Sequence, residues 1–133
     1  MKVIAYSVQP YEMELMAKAN QKKHEITLIF NSLNLETVRF AAGKLAVVVS
    51  ASDEVSAEII SKLSELGIKY ITMRSVSTGH VDTDAAYKYG IKLANAPDQQ
   101  NIAAQTISNL DLWEINKCVG KACVCGKTCR ASL

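Results

Sequence analysis

The sequence predicts an α/β protein: a flavodoxin-like three-layer domain with a five-stranded parallel sheet, followed by a C-terminal helix and a Cys-rich tail. Three observations carry that expectation. Short β-branched or apolar runs alternate with segments of helical length and period. Runs such as LAVVVS at 45–50 are apolar almost throughout, as suits parallel strands covered on both faces. Glycines stand where the helical segments should stop. Alternating strands and helices imply βαβ units with right-handed crossovers.

Taken in order, the expected strands are 2–7 (KVIAYS), 25–30 (EITLIF), 45–50 (LAVVVS), 69–73 (KYITM) and 91–94 (IKLA). The first helix, 10–22, opens at a proline suited to a first turn. Its period places Met13, Met16, Ala17 and Asn20 on one side, with the methionines as core. A second helix is expected over 35–42, closed by Gly43. A third runs over 55–66, where Val55, Ile59, Leu63 and Leu66 recur at steps of three and four before Gly67. A short one covers 84–89 and ends at Gly90. The last, 101–116, aligns Ile102, Thr106, Leu110 and Trp113, and its tryptophan reads as an anchor in the core or a dimer interface.

Length and composition exclude several classes. With 133 residues, 49% hydrophobic and 21% charged, the chain suits one folded domain rather than a disordered or fibrous one. Its longest purely apolar stretch, 45–49, is far short of the roughly 20 residues that span a bilayer. Met1-Lys2 leads straight into a strand pattern. No signal peptide and no membrane segment are therefore expected, and the expected compartment is cytoplasmic. A net charge of +2 is too small to imply a nucleic-acid partner. From residue 117 onward, however, Lys117, Lys121, Lys127 and Arg130 meet no acidic side chain.

In doubly wound folds ligands bind beyond the carboxyl ends of the strands, which directs attention to the loops after Ser7, Ser50, Met73 and Ala94. The third of these holds Arg74 and His80. Arg74 could attract an anion or pair with Asp82 or Asp84. His80 could face a ligand or orient the loop by a hydrogen bond. His24, at a helix-to-strand junction, reads as a solvated surface residue.

Residues 74–82 (RSVSTGHVD) and 90–97 (GIKLANAP), together with KVIAYS at the start and LGIKYITMRS at 66–75, resemble the D-2-hydroxyacid dehydrogenase family, in particular its D-lactate and 2-hydroxyisocaproate branch. The resemblance covers roughly residues 1–107. It implies a substrate-binding domain over 1–100, then the helix 101–116 and the tail 117–133. It also implies a small carboxylate ligand held by the backbone N–H groups of the loop after the fourth strand, here Val76, Ser77, Thr78, Gly79 and His80.

Three departures from the family pattern shape the functional expectation. Ser77 stands where the family has a glycine, with Gly79 two residues later. The family's Tyr-Ser-Pro turn is replaced by Asp98-Gln99-Gln100. The family's nicotinamide site and its catalytic arginine, histidine and carboxylate belong to segments beyond residue 133, and the glycines at 43, 67, 79, 90, 120 and 126 form no Gly-x-Gly-x-x-Gly loop. No catalytic residue is therefore expected in this chain, and NAD is not expected to bind it alone. It reads as a carboxylate-binding or regulatory domain, with a subunit of a split NAD-dependent dehydrogenase, completed by a separate nucleotide-binding chain, as an alternative.

The tail carries a second alternative. Cys118, Cys123, Cys125 and Cys129 are spaced C-x4-C-x-C-x3-C, and no other cysteine occurs. Such a set, with two glycines and flanking lysines, suits a metal: zinc on four thiolates, an iron–sulfur cluster or Cu(I). Disulfides, a reversible thiol switch or unliganded thiols remain open. On this reading the body is a dimerisation platform for a metal- or redox-sensing tail.

Overall fold

Five parallel strands, β1 (Lys2–Ala5), β2 (Glu25–Leu28), β3 (Ala46–Val49), β4 (Tyr70–Met73) and β5 (Lys92–Ala94), form one sheet in the order β2-β1-β3-β4-β5 in a computed structural model, which describes residues 1–124. The parallel register pairs Val3 with both Ile26 and Ala46, Val47 with Ile71, and Ile71 with Leu93. The order reverses between β1 and β3, and it is there, past the carboxyl ends of the strands, that such folds open a crevice.

Alternation along the strands divides the core into two layers. Ile4, Val47, Val49, Ile71, Met73 and Leu93 face α2 (Ala57–Glu65) and α3 (Thr83–Lys88). Val3, Ala5, Ala46 and Val48 face the other way, onto Met16 of α1 (Pro10–Asn20) and onto Ile107, Leu110 and Trp113 of α4 (Ile102–Glu114). β3 is buried throughout because both of its faces are covered, which is why its sequence lacks polar alternation. Trp113 is an anchor of this second layer: its ring stacks on Tyr70 with centroids 4.9 Å apart and planes 17° from parallel.

Several expected elements are shorter than their period suggests. In place of a helix over 35–42 there is a 3-10 turn, Val38–Ala41. The Asn34 carboxamide oxygen accepts the N–H groups of Glu36 and Thr37 at 2.8 and 3.0 Å, a local alternative to helix. α1 ends at Asn20 because Gln21 and Lys22 take φ values of 49° and 60°, and the Asn20 side chain closes the turn by bonding both main-chain groups of His24. Its buried stripe is also narrower than expected, since Met16 and Asn20 are buried but Met13 is 47% exposed. Val55 lies outside α2. It bridges to Val81, while Ser56 caps the helix by accepting the Ile59 N–H.

Beyond α4 the chain reverses at Asn116 (φ 59°), passes a 3-10 turn at Gly120–Ala122 and runs antiparallel beside β5. The Asn95 N–H donates to the Ala122 carbonyl at 3.0 Å and the Val124 N–H to the Leu93 carbonyl at 2.9 Å. This strap covers the otherwise open edge of β5 and buries Val119, Ala122 and Cys123 against the α1/α4 layer. No described helix is long and apolar enough to cross a membrane.

Candidate functional site

The loops at the carboxyl ends of β1, β2 and β3 are tied together by Asp53, a residue the sequence reading did not single out. Its side chain lies in the loop that follows β3 and is 1% exposed. One carboxylate oxygen accepts the Ser7 hydroxyl at 2.7 Å and the Leu33 N–H at 3.1 Å; the other accepts the Ser50 N–H at 2.9 Å. Buried carboxylates persist only when so satisfied. To meet Asp53, Ser7 adopts the left-handed region at φ 57°, an uncommon conformation for a residue with a side chain. Burial, with the Asp53 charge adding to it, pushes the Tyr6 phenol well above its ordinary range, and its hydroxyl donates to the Thr37 carbonyl at 2.8 Å.

Arg74, at the end of β4, is committed to the scaffold. Its guanidinium reaches across β3 to donate to the carbonyls of Tyr6 at 2.9 Å and Ser7 at 3.1 Å. Nε and Nη2 meet the two carboxylate oxygens of Glu12 at 2.9 and 3.2 Å. The expected pairing with Asp82 or Asp84 does not form: Asp82 instead caps α3 by accepting the Ala85 N–H. Glu12 also accepts the Gln9 N–H at 3.1 Å at the start of α1. The β1–α1 turn therefore reads Tyr6-Ser7-Val8-Gln9-Pro10, with no glycine, a helix that starts on a residue lacking an N–H, and a carboxylate in its first turn.

The loop Val76–His80 projects from the carboxyl end of β4, and Val76, Ser77 and Gly79 are exposed. Four of its carbonyls are engaged. Asn95 Nδ2 donates to Val76 at 2.8 Å, the Ser75 hydroxyl to Ser77 at 2.8 Å, the Val81 N–H to Thr78 at 3.3 Å and the Val55 N–H to His80 at 2.8 Å. Its N–H groups are not: those of Val76, Ser77, Thr78 and Gly79 donate to no acceptor among the described residues. Ser77 has no left-handed φ, so a side chain at this position strains nothing. At Gly79 a β-carbon would meet open space.

His80 forms one wall of an open depression of about 480 Å³ that Gly79, Ser52, Glu54, Ser56 and Asp82 also line. Its Nε2 is buried and has no hydrogen-bond partner among the described residues. Burial lowers the imidazole's affinity for a proton, and the nearby Asp53 charge offsets that only in part. The ring therefore favours its neutral form.

His24 departs from expectation. It is buried, at the opposite end of the strands, with Nε2 2.7 Å from Asp111 and Nδ1 3.3 Å from Glu114 and 3.2 Å from the terminal amine of Met1. The Asn20 clamp on its backbone turns the ring inward, against α4, a tertiary contact with no local signature. Of the four tail cysteines, Cys118 and Cys123 pack with the α1/α4 apolar layer, and Cys125 and Cys129 lie outside the described residues. Among the described residues no group of three or more His, Cys, Asp and Glu side chains is arranged to hold a metal ion.

Comparison with known proteins places this geometry. Residues 2–116 match the profile of the D-isomer specific 2-hydroxyacid dehydrogenase catalytic domain. An aromatic 2-oxoacid reductase from Clostridium sporogenes is 32% identical over 98 residues, covering 73% of this chain and 30% of that protein. A 2-hydroxyacid dehydrogenase homolog from Schizosaccharomyces pombe is 31% identical over 125 residues, covering 93% of this chain and 38% of that protein. The apo structure of D-lactate dehydrogenase from Escherichia coli superposes with a TM-score of 0.71 at 30% identity, over 73% of this chain and 31% of that one. The chain thus spans about a third of the length of the relatives it matches.

Proposed function

The chain belongs to the D-isomer specific 2-hydroxyacid dehydrogenase family, and from that premise we propose that it binds a small carboxylate at the loop Val76–His80 and does not by itself carry out hydride transfer. The observation that carries the reading is the set of N–H groups at Val76, Ser77, Thr78 and Gly79, which face no acceptor while the carbonyls between them are tied down. Such a run of open donors at the end of a strand suits an anionic oxygen pair. Arg74 is not the anion's partner, because Glu12 already meets it.

The β1–α1 turn does not fit a dinucleotide. A pyrophosphate sits on a glycine-rich β1–α1 turn and the free N–H groups of the helix that follows. Here that turn has no glycine, begins its helix with Pro10, and presents the Glu12 carboxylate. No step involving NAD is therefore assigned to these residues. A small-carboxylate-binding or regulatory role, with any nucleotide-binding half supplied from elsewhere, is the corresponding reading.

Titration of the isotopically labelled chain with pyruvate, following amide resonances, tests it. The expected result is saturable shifts centred on Val76–Gly79, with no NADH oxidation in a parallel assay. Shifts confined to other segments would overturn the carboxylate loop, and turnover with NADH and pyruvate would overturn the assignment of hydride transfer elsewhere.

A further inference from the structure

Three hydrogen bonds converge on Asn95, the residue that follows β5. Its side-chain Nδ2 donates to the Val76 carbonyl at 2.8 Å, inside the candidate loop. Its own N–H donates to the Ala122 carbonyl at 3.0 Å, in the strap that runs beside β5. Its carbonyl accepts Asn109 Nδ2 from α4 at 2.9 Å, and the same Nδ2 also reaches the Thr72 hydroxyl of β4 at 3.1 Å. One position further on, the Ala96 N–H donates to the Ser75 carbonyl at 2.9 Å.

We propose that Asn95 is a positioning residue for the carboxylate loop, and that the strap Gly120–Val124 sets its position. This deepens the carboxylate-loop reading and rests on it. The peptide group between Val76 and Ser77 is planar, so a carbonyl held by Asn95 also fixes the direction of the Ser77 N–H, one of the donors left open. Asn95 in turn cannot shift without breaking its bond to Ala122 or to Asn109. The strap therefore reaches the loop through one main-chain bond, Asn95 to Ala122, and one side-chain bond, Asn95 to Val76. Lifting the strap from β5 breaks the bond from the Asn95 N–H to Ala122 and leaves Asn109 as the remaining anchor of its main chain.

Two variants of the full chain separate this from simple loss of folding. Asn95→Asp keeps both main-chain bonds but replaces the donor to Val76 with an acceptor. Val124→Pro removes the N–H that ties the strap to the Leu93 carbonyl and leaves Asn95 intact. With pyruvate as the probe, each should weaken binding at Val76–Gly79 by about fivefold or more, and the double variant should be no worse than the stronger single, as coupled sites behave. Unchanged pyruvate affinity in both single variants, in a chain whose wild type binds, would overturn the proposal.

A second readout does not depend on the ligand. Without pyruvate, the backbone N–H order parameters of Ser77 and Thr78 should fall in Val124→Pro while those in β1 and β3 are unchanged. If wild type shows no pyruvate response at all, the carboxylate-loop reading fails, and equal order parameters at Ser77 and Thr78 in wild type and Val124→Pro would then remove the coupling as well.

Discussion

Arg74 and Glu12, sixty-two positions apart, face each other through two bonds of 2.9 and 3.2 Å, with the arginine side chain 1% exposed and the glutamate 19%. The pair staples the end of β4 to the first turn of α1, and two carbonyls at the end of β1 complete the arginine's surroundings. Removing the glutamate's charge leaves a buried cation without its counterion. Glu12→Gln is therefore expected to cost about 3 kcal/mol in urea unfolding. A loss below about 1 kcal/mol would mean that the carbonyls alone satisfy the guanidinium.

Asp53 is the acceptor for three donors, and replacing it with an amide turns one acceptor into a donor facing a donor. Asp53→Asn should destabilise the chain by roughly 2–3 kcal/mol, the cost of leaving a buried polar group unmet. Ser7→Ala removes one donor only and should cost about 1 kcal/mol. Equal losses in the two variants would show that the hydroxyl, not the main-chain N–H groups, holds the carboxylate in place.

The sheet was readable because its strands are continuous apolar runs separated by glycine-closed helices, a local pattern that fold-level packing then reinforces. Trp113 was readable as an anchor for the same reason: a lone tryptophan on an apolar helical stripe. The helix expected at 35–42 failed because Asn34 offers its carboxamide to two backbone N–H groups, and a period count does not weigh that competition. The position of His24 at a helix-to-strand junction suggests a solvated ring, and the carboxylates that bury it, Asp111 and Glu114, lie some ninety positions away. Asp53 left a faint trace, an acidic residue between a buried strand and a capped helix. Glu12 as the partner of Arg74 left none, since the strand order brings them together.

Asp111, beside His24, contributes one part of the response to acid. Burial alone would push the Asp111 carboxyl up, but hydrogen bonds and charge from Lys23 and His24 outweigh it and hold the carboxyl below its usual value. Folded protein thus takes up this proton less readily than unfolded protein, so stability present above the ordinary value of 3.8 is lost as pH falls through the lower folded one. Thermal unfolding from pH 6 to pH 2 should show a drop below pH 4 that is shallower in Asp111→Asn. Parallel curves for the two proteins would exclude Asp111 as a source of that acid sensitivity.

Trp113 closes the layer between α4 and the sheet, stacked on Tyr70 and only 2% exposed. Trp113→Ala should cost about 3–5 kcal/mol, since both burial and a cavity term are involved. Trp113→Phe keeps a stacked ring and should cost less than half as much. The check is chemical denaturation, with the midpoint and the slope compared between variants. A midpoint for Trp113→Ala within error of wild type would mean that α4 is not needed to seal the core.

His80 carries the pH signature of the candidate loop. Its pKa lies below 6.5 because burial disfavours the imidazolium more than the Asp53 charge favours it. The unfolded chain therefore binds this proton first as pH falls, and stability declines from about 6.5 downward until the folded ring also protonates. The chain has two histidines, so two imidazole resonances are expected, and His80→Gln identifies the one that belongs to the loop. Its midpoint should lie below 6.5 and should fall further in Asp53→Asn, which removes the offsetting charge. A midpoint that rises in Asp53→Asn would reverse the assigned roles of burial and charge.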